Sequence, residues 1–383
     1  MDCKDYGLFE VRQAEGRKGL GAFARHDLAA GQLLIAEEPI LTLPHSLPKR
    51  LVGRSIEQLA SKLLQAAKDD YFSLSSSHVD YGVAENIWYT NSLDMGDSKD
   101  RNGIFLVISR FNHSCTPNAL FHWSETLNRQ VVYNIKPIAK GQEIEVAYIS
   151  VISPPATRQY ALKKNFNFGC RCTACSLPRK ELELSASRRA ECVAIAQRID
   201  TQLDRGEPLL ALRSIRRAMD LAKLEGVWES ETAPLCYDAV RICVMWGDER
   251  HAREWADLGF KLCSIIKGQD SNDARMMRGL RDDPRSESVR GKSLWAALGE
   301  QVLVGPFEEL SLPSSSKQPT NDNPLMSIAS LPSAATPPPA ASSGTSAVKL
   351  STGQKKKIKE KAKRARLNAL ALSAQEVSDC TSN

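Results

Sequence analysis

The sequence predicts an α+β fold in which a domain of short strands, interrupted by a helical insert, precedes an all-helical domain. Apolar and polar side chains alternate over short runs between about residues 6 and 146, with glycine-containing turns between the runs. At about 48–90, and throughout 185–300, apolar residues recur instead at helical spacing. A third observation is a group of four cysteines whose spacing ties the end of the strand region back to its middle.

The strands are predicted to be short and the helices to follow one another in series. Predicted strands cover residues 8–12, 22–25, 32–35, 105–107, 131–133 and 144–146. Ile56, Leu59 and Leu63 recur at helical spacing, which predicts helices in the insert. After residue 185, apolar stripes joined by short turns predict an antiparallel helical array that is similar to tetratricopeptide-like arrays but has no clear repeat signature.

The sequence predicts four consecutive units. The predicted units are a first domain at 1–150, a cysteine-containing segment at 151–180, a helical domain at 185–305 and a tail at 306–383. The tail is expected to be disordered, because residues 310–350 are rich in Ser, Pro, Ala and Thr.

The net charge of +6 is concentrated in the tail, where residues 355–366 hold eight Lys or Arg and one Glu. The rest of the chain is close to neutral, so broad nucleic-acid binding by the folded part is not predicted. The basic run predicts a solvated charged tail, a nuclear import signal or nonspecific contact with nucleic acid.

Cysteine usage predicts a reducing compartment. The chain has no stretch approaching 18 apolar residues and no signal-like N-terminus, so we expect no membrane span and a protein of the nucleus and/or cytoplasm. There, clustered cysteines are typical of metal sites rather than disulfides. Four scattered cysteines lie among helical apolar residues and are expected to be core residues: Cys192, Cys236, Cys243 and Cys263.

A zinc site is predicted from the clustered cysteines. Cys170, Cys172 and Cys175 form a C-x-C-x-x-C run, one ligand short of the four that a closed structural zinc site needs. Cys115, in an Asn-His-Ser-Cys run upstream, is the natural fourth ligand. Free buried thiols are the alternative, but Arg171 between the cysteines argues against an apolar environment.

Four motifs together resemble those of SET-domain lysine methyltransferases. They lie, in this order, at residues 16–22, 110–118, 141–148 and 168–175. The resemblance covers about residues 6–178 and is closest to the SET and MYND (SMYD-like) branch, whose members also carry a helical C-terminal domain. Residues 36–100 contain no cysteine, so the zinc-binding MYND module of that branch is absent.

The resemblance implies small curved sheets with a threaded C-terminal segment, S-adenosylmethionine on one face and a narrow lysine channel on the other. It implies these cofactor-binding residues: Lys18, Gly19, Leu20, Asn91, Asn112, His113, Tyr148 and Phe168. The resemblance further implies that Phe168 packs on adenine, that the His113 backbone pairs with adenine, and that Asn91 contacts the cofactor carboxylate. Glycine has no Cβ, so backbone at Gly19 can approach a ligand closely, although a tight β-turn is the alternative. Turn capping and core packing are the alternatives for Asn112 and His113.

Tyr148 is the implied catalytic residue, and Phe166 the implied wall of the lysine channel. A buried phenol would orient the lysine amine for in-line displacement, in which alignment at about 3 Å matters more than acid chemistry. The amine must be neutral, and a dry channel beside a positive sulfonium lowers its pKa from about 10.4. Relatives often have tyrosine where this chain has Phe166, which predicts higher methylation states or weak activity. An ordinary core tyrosine is the alternative for Tyr148.

These observations predict an S-adenosylmethionine-dependent protein-lysine N-methyltransferase with a structural zinc. We expect a monomer that acts on a histone tail or another protein, with the helical domain covering the substrate groove or binding partner proteins. The alternative is a non-catalytic SET-fold adaptor, which a calorimetric test of S-adenosylmethionine binding would help to distinguish.

Overall fold

The computed structural model describes residues 4–14, 19–78, 81–96, 98–285 and 305–306. Lys18 and the basic run at 355–366 lie outside this part of the chain, as does the predicted disordered tail except for its first residue.

In the described part, the first half of the chain forms short strands around an insert of three helices. In chain order these are β1 (Lys4–Asp5), β2 (Phe9–Gln13), β3 (Leu20–Ala24), β4 (Leu33–Glu37), β5 (Leu41–Pro44), α1 (Lys49–Ser61), α2 (Gln65–Phe72), α3 (Val83–Asn91), β6 (Leu93–Asp94), β7 (Arg101–Ile104), β8 (Asn112–His113), β9 (Ala119–Ser124), β10 (Arg129–Asn134) and β11 (Glu143–Val146). A single 3-10 turn, Ile108–Arg110, precedes β8.

The strands form three small sheets. Their strand orders are β1-β2-β3-β11-β8, β4-β10-β9 and β5-β7-β6. Only the β11–β8 pair is parallel among the described strands, with Glu145 opposite Asn112 and Val146 opposite His113. Parallel neighbours need a long connection, which β9 and β10 provide here. The pairing holds the Asn112–Cys115 segment beside the residues that follow β11.

The strand predicted at 105–107 is wrong. β7 ends at Ile104, and the chain then enters the 3-10 turn. The Glu37 carboxylate accepts hydrogen bonds from the backbone N–H groups of Val107 and Ile108, both at 2.9 Å. Those donors are therefore not available for a strand ladder. The other predicted strands overlap β2, β3, β4, β10 and β11.

The helical insert is confirmed, and it has its own core. Ile56, Tyr71 and Ile87 are almost fully buried and pack with Ile104 of β7. Burial removes water from the Tyr71 hydroxyl, which instead donates a hydrogen bond to the Ala84 carbonyl at 2.6 Å. The insert thus packs on the small β5-β7-β6 sheet.

The helical domain predicted after residue 185 is also confirmed. The segment at 151–180 contains α4 (Pro155–Phe166) and a 3-10 turn, Thr173–Cys175. The helices of the helical domain are α5 (Arg179–Asp204), α6 (Pro208–Leu224), α7 (Trp228–Met245), α8 (Glu249–Lys267) and α9 (Asn272–Asp282). Cys192, Cys236, Cys243 and Cys263 are buried in its core, as predicted. No helix in the described ranges is both long and apolar enough to cross a bilayer.

The helical domain packs directly on the strand domain. Ile135, which follows β10, is buried in the helical core, with Leu120 of β9 packed against it. The Lys136 ammonium donates to the Gly226 carbonyl at 2.6 Å, in the turn between α6 and α7. Val151, which follows β11, is buried with Ala222 of α6. The segment after β11 therefore lies between the two domains.

Candidate active site and metal centre

The four predicted metal ligands come together in space. Sγ atoms of Cys115, Cys170, Cys172 and Cys175 all lie within 4.8 Å of one another, and those of Cys115 and Cys175 are 3.6 Å apart. Four sulfurs bound to zinc at about 2.3 Å in a tetrahedron would be about 3.8 Å apart. The donor set and its spacing therefore fit zinc.

Backbone groups favour thiolates in this cluster. The Cys115 N–H donates to Cys172 Sγ, and the Cys172 N–H donates to Cys170 Sγ, each at 3.4 Å. Hydrogen bonds within the cluster lower the pKa of Cys172 and Cys175, whereas the pKa of Cys115 and that of Cys170 lie above the ordinary thiol value. Zinc binds deprotonated cysteine, so these contacts favour the ligand form at Cys172 and Cys175, and the metal itself would favour it at the other two.

His113 connects the cysteine cluster to Tyr148. The Tyr148 backbone N–H donates to His113 Nδ1 at 3.0 Å, so the ring proton lies on Nε2. His113 Nε2 is 3.3 Å from Cys115 Sγ and donates to it. The ring is buried, and both of its nitrogens have partners inside the protein. The predicted cofactor contact of His113 would therefore involve its backbone.

Tyr148 lies in a group of aromatic rings. Its ring centroid is 5.0 Å from that of Phe166, 5.4 Å from that of His113 and 6.5 Å from that of Phe168. Asn167 ends α4 in the left-handed conformation, at φ 56°, and reverses the chain between the two phenylalanines. Phe166 and Phe168 also pack on the hydrophobic core around Cys115 and Cys170. The cysteine cluster therefore helps to position this aromatic segment.

The hydroxyl of Tyr148 is fixed in orientation. It donates to the Phe111 carbonyl at 2.6 Å, which leaves the oxygen lone pairs to accept from another group. Burial raises the pKa of Tyr148, and the carboxylates of Glu143 and Glu145 add to the effect. The phenol is thus neutral at physiological pH, and it can position a ligand but cannot act as a strong base.

Asn112 fastens the glycine-containing turn to β11. Its Nδ2 donates to the Leu20 carbonyl at 3.1 Å and to Glu143 Oε1 at 2.7 Å. A Cβ at Gly21 would lie 2.7 Å from Glu143 Oε1 and 2.9 Å from Asn112 Nδ2, so a larger residue there would displace these two side-chain ends. Gly19 has φ 75°, and its carbonyl accepts from the Ala14 N–H at 2.8 Å. Backbone at 19–21 is thus held against Asn112.

Asn91 lies at the end of α3, where its amide hydrogens already have acceptors. Asn91 Nδ2 donates to the Ser75 and Ile87 carbonyls, both at 2.8 Å. Its Oδ1 can therefore accept from an ammonium, whereas the predicted carboxylate contact would need one of these bonds to break. Nearby, the Ser77 hydroxyl donates to the Asn165 carbonyl at 3.2 Å and connects the insert to the residue before Phe166.

Two charged residues that contact the site were not predicted from the sequence. Glu37 holds the turn before Asn112 through two backbone N–H groups, and burial raises its pKa. Arg158 of α4 is fully buried, with Nη2 at 3.8 Å from Cys175 Sγ. In the sequence both look like ordinary charged surface residues, because no local pattern reveals that a distant segment covers them.

The residues on either side of Tyr148 in the sequence line a cavity. Its volume is about 250 Å³, and its walls include Ala147 and Ile149, which flank Tyr148, and Leu120 of β9. Glu231 of α7 is the only ionisable residue among the described residues that line it. Burial raises the pKa of Glu231. The cavity therefore offers apolar walls and one carboxyl group between the two domains.

Comparison with known proteins gives a match to the SET domain family model at residues 19–149. A histone-lysine N-methyltransferase, set5 of Schizosaccharomyces pombe, is 28% identical over 273 residues, covering 71% of this chain and 83% of that protein. The N-lysine methyltransferase SMYD2 of Gallus gallus is 32% identical over 220 residues, covering 53% of this chain and 46% of that protein. The chain thus spans most of the first relative but less than half of the second.

Proposed function

Because the chain belongs to the SET-domain family of lysine methyltransferases, we propose that it transfers methyl groups from S-adenosylmethionine to lysine side chains of a protein substrate. The observation that carries the proposal is the arrangement around Tyr148. Its hydroxyl is oriented by the Phe111 carbonyl, and its ring lies between Phe166 and His113.

The residues that would hold the cofactor lie on both sides of Asn112. Backbone at Gly19 and Leu20 is fastened to Asn112, and Phe168 presents an aromatic ring 6.2 Å from that of His113. S-adenosylmethionine supplies an electrophilic methyl group on a positively charged sulfur. Asn91 Oδ1 suits an ammonium donor because the amide nitrogen already has two acceptors. Lys18 is also proposed to bind the cofactor, because it belongs to the same glycine-containing motif in the sequence.

Tyr148 is the proposed catalytic residue. Its lone pairs accept from the lysine amine and align the nitrogen with the reacting methyl group. The aromatic walls exclude water, which lowers the pKa of the amine and favours the neutral nucleophile. Phe166 offers no hydroxyl to restrict rotation of a methylated amine, which supports di- or trimethylation rather than a single transfer.

We propose that the cavity lined by Ala147 and Ile149, the sequence neighbours of Tyr148, also contributes to substrate choice. A basic residue near the target lysine would place its aliphatic part against Leu120 and its charge near Glu231. The substrate itself is proposed as a histone tail or another protein, in the nucleus or cytoplasm. Set5 is described as a histone-lysine enzyme and SMYD2 as an N-lysine methyltransferase.

The test is methyl transfer by the full-length protein. Purified protein is incubated with labelled S-adenosylmethionine and either histones or cell extract, and labelled proteins are identified by mass spectrometry. Tyr148→Phe should reduce the rate at least tenfold, whereas Tyr237→Phe, in the helical domain, should not. Labelling by Tyr148→Phe at the normal rate would remove the proposed catalytic role. No binding of S-adenosylmethionine by calorimetry would instead favour the non-catalytic adaptor.

A further inference from the structure

Two arginines are completely buried near the cysteine cluster. Arg158 of α4 and Arg189 of α5 each have no exposed surface. Buried guanidinium groups are stable only when an anion compensates the charge. Arg189 has such a partner, because its Nε is 2.7 Å from Glu225 Oε2. Arg158 has no carboxylate at ion-pair distance in the described part of the chain.

Among the described residues, the groups next to Arg158 that can carry a negative charge are cysteine sulfurs. Its Nη1 donates to the Ser153 carbonyl at 2.6 Å, and its Nη2 is 3.8 Å from Cys175 Sγ. Its Nε is buried and has no hydrogen-bond partner among the residues that the structure describes. A neutral carbonyl cannot compensate the charge, so the cysteine cluster must do so.

A zinc ion with four thiolates carries two negative charges. Three arginines lie around this part of the fold, since Arg188 also pairs with Glu225. Glu225 pairs with both Arg188 and Arg189, and the side chain of Arg188 is also 29% exposed to solvent. Arg158 is therefore the arginine that a zinc-thiolate cluster would compensate. Four protonated thiols would leave the buried charge of Arg158 without a counter-ion.

The same arginines hold the segment between the two domains. Arg158 binds the Ser153 carbonyl, and Arg189 binds the Val151 carbonyl. Arg189 also binds Glu225, at the C-terminal end of α6. A continuous series of contacts therefore runs from Cys175 through the interdomain segment to the helical domain.

We infer that Arg158 is a positioning residue that balances the charge of the zinc-thiolate cluster, and that zinc occupancy thereby controls the docking of the helical domain. Loss of the metal, or oxidation of its ligands, leaves the buried charge of Arg158 uncompensated beside the interdomain segment. The inference rests on the metal centre and not on methyl transfer, so it survives if the proposed activity fails.

The first test measures zinc affinity of the full chain. Zinc is titrated by competition with a chromogenic chelator for wild type, Arg158→Met and Arg158→Lys. Outer partners of metal ligands typically contribute 10- to 100-fold in affinity, so Arg158→Met should bind zinc about 10- to 100-fold more weakly. Arg158→Lys should recover much of the loss. Arg179→Met, whose arginine side chain is 92% exposed, is the matched control and should bind normally.

The second test uses the wild-type protein and does not depend on a variant that folds. Hydrogen exchange is followed before and after chelation of zinc. Amides around Arg189 and Glu225 should lose protection along with those around Cys175, while those of α9, far along the chain, should keep it. Zinc affinity of Arg158→Met within twofold of wild type would overturn the role of Arg158. Unchanged protection at Glu225 after zinc removal would overturn the coupling.

Discussion

Gly21→Ala tests whether the glycine-containing turn must lie against Asn112 for the cofactor to bind. The new Cβ would lie 2.7 Å from Glu143 Oε1 and 2.9 Å from Asn112 Nδ2, both closer than van der Waals contact allows. Either the turn moves away or the Asn112–Glu143 hydrogen bond breaks. A hydrogen bond to a charged group contributes about 1.5–3 kcal/mol. Since 1.4 kcal/mol is about tenfold in binding, the Kd for S-adenosylmethionine should rise about 10- to 100-fold.

The assay is isothermal titration calorimetry with S-adenosylmethionine, together with urea unfolding to check that the variant folds. Gly279→Ala is the matched control, because a Cβ there meets nothing within 4 Å. Alanine is favoured over glycine in a helix by about 1 kcal/mol, so this control should be slightly more stable and bind normally. A folded Gly21→Ala protein with the wild-type Kd would refute the assigned role of the turn.

Three further outcomes are expected. Burial, with a smaller contribution from Lys267, lowers the pKa of His122 to about 4, below the value of about 6.5 in an unfolded chain. As pH falls, the unfolded state therefore takes up this proton first, so the free energy of unfolding should decline between about pH 6.5 and 4 by at most about 3 kcal/mol. Urea unfolding at several pH values should show a shallower decline for His122→Gln than for wild type. An unchanged decline would exclude His122 as the cause. Phe166→Tyr should shift the product towards monomethyl-lysine in mass spectra of the substrate, and an unchanged product ratio would contradict the role of Phe166. Glu231→Gln should raise the KM for basic substrates at least severalfold with little change in kcat, and equal KM values would exclude the cavity from substrate binding.

The sequence predicted those parts of the fold and site whose information is local or chemically specific. The C-x-C-x-x-C run and Cys115 have few physical uses other than a shared metal site, and their sulfurs do meet. Helical spacing located the insert and the helical domain because each buries one face of its helices. The predicted strand at 105–107 failed because Glu37, about seventy residues upstream, captures the backbone donors that a strand would use.

What the sequence could not predict depends on long-range burial. Arg158 sits on a helix whose neighbours in sequence are polar, and nothing local indicates that its guanidinium is enclosed beside Cys175. The ring proton of His113 is likewise fixed only when the Tyr148 backbone and Cys115 meet around it. The amide hydrogens of Asn91 bond to Ser75 in a loop and to Ile87 in α3, which changes the ligand group that the side chain suits.

The separation of the cysteine ligands along the chain affects biosynthesis. Cys115 and Cys175 are 60 residues apart, which a ribosome adding about 5–20 residues per second takes about 3–12 s to make. During that interval the nascent polypeptide exposes one thiol whose partners do not yet exist. Zinc can therefore complete this fold only after the last of the four cysteines has been synthesised. A shortage of zinc is expected to expose newly made chains to degradation more than mature ones.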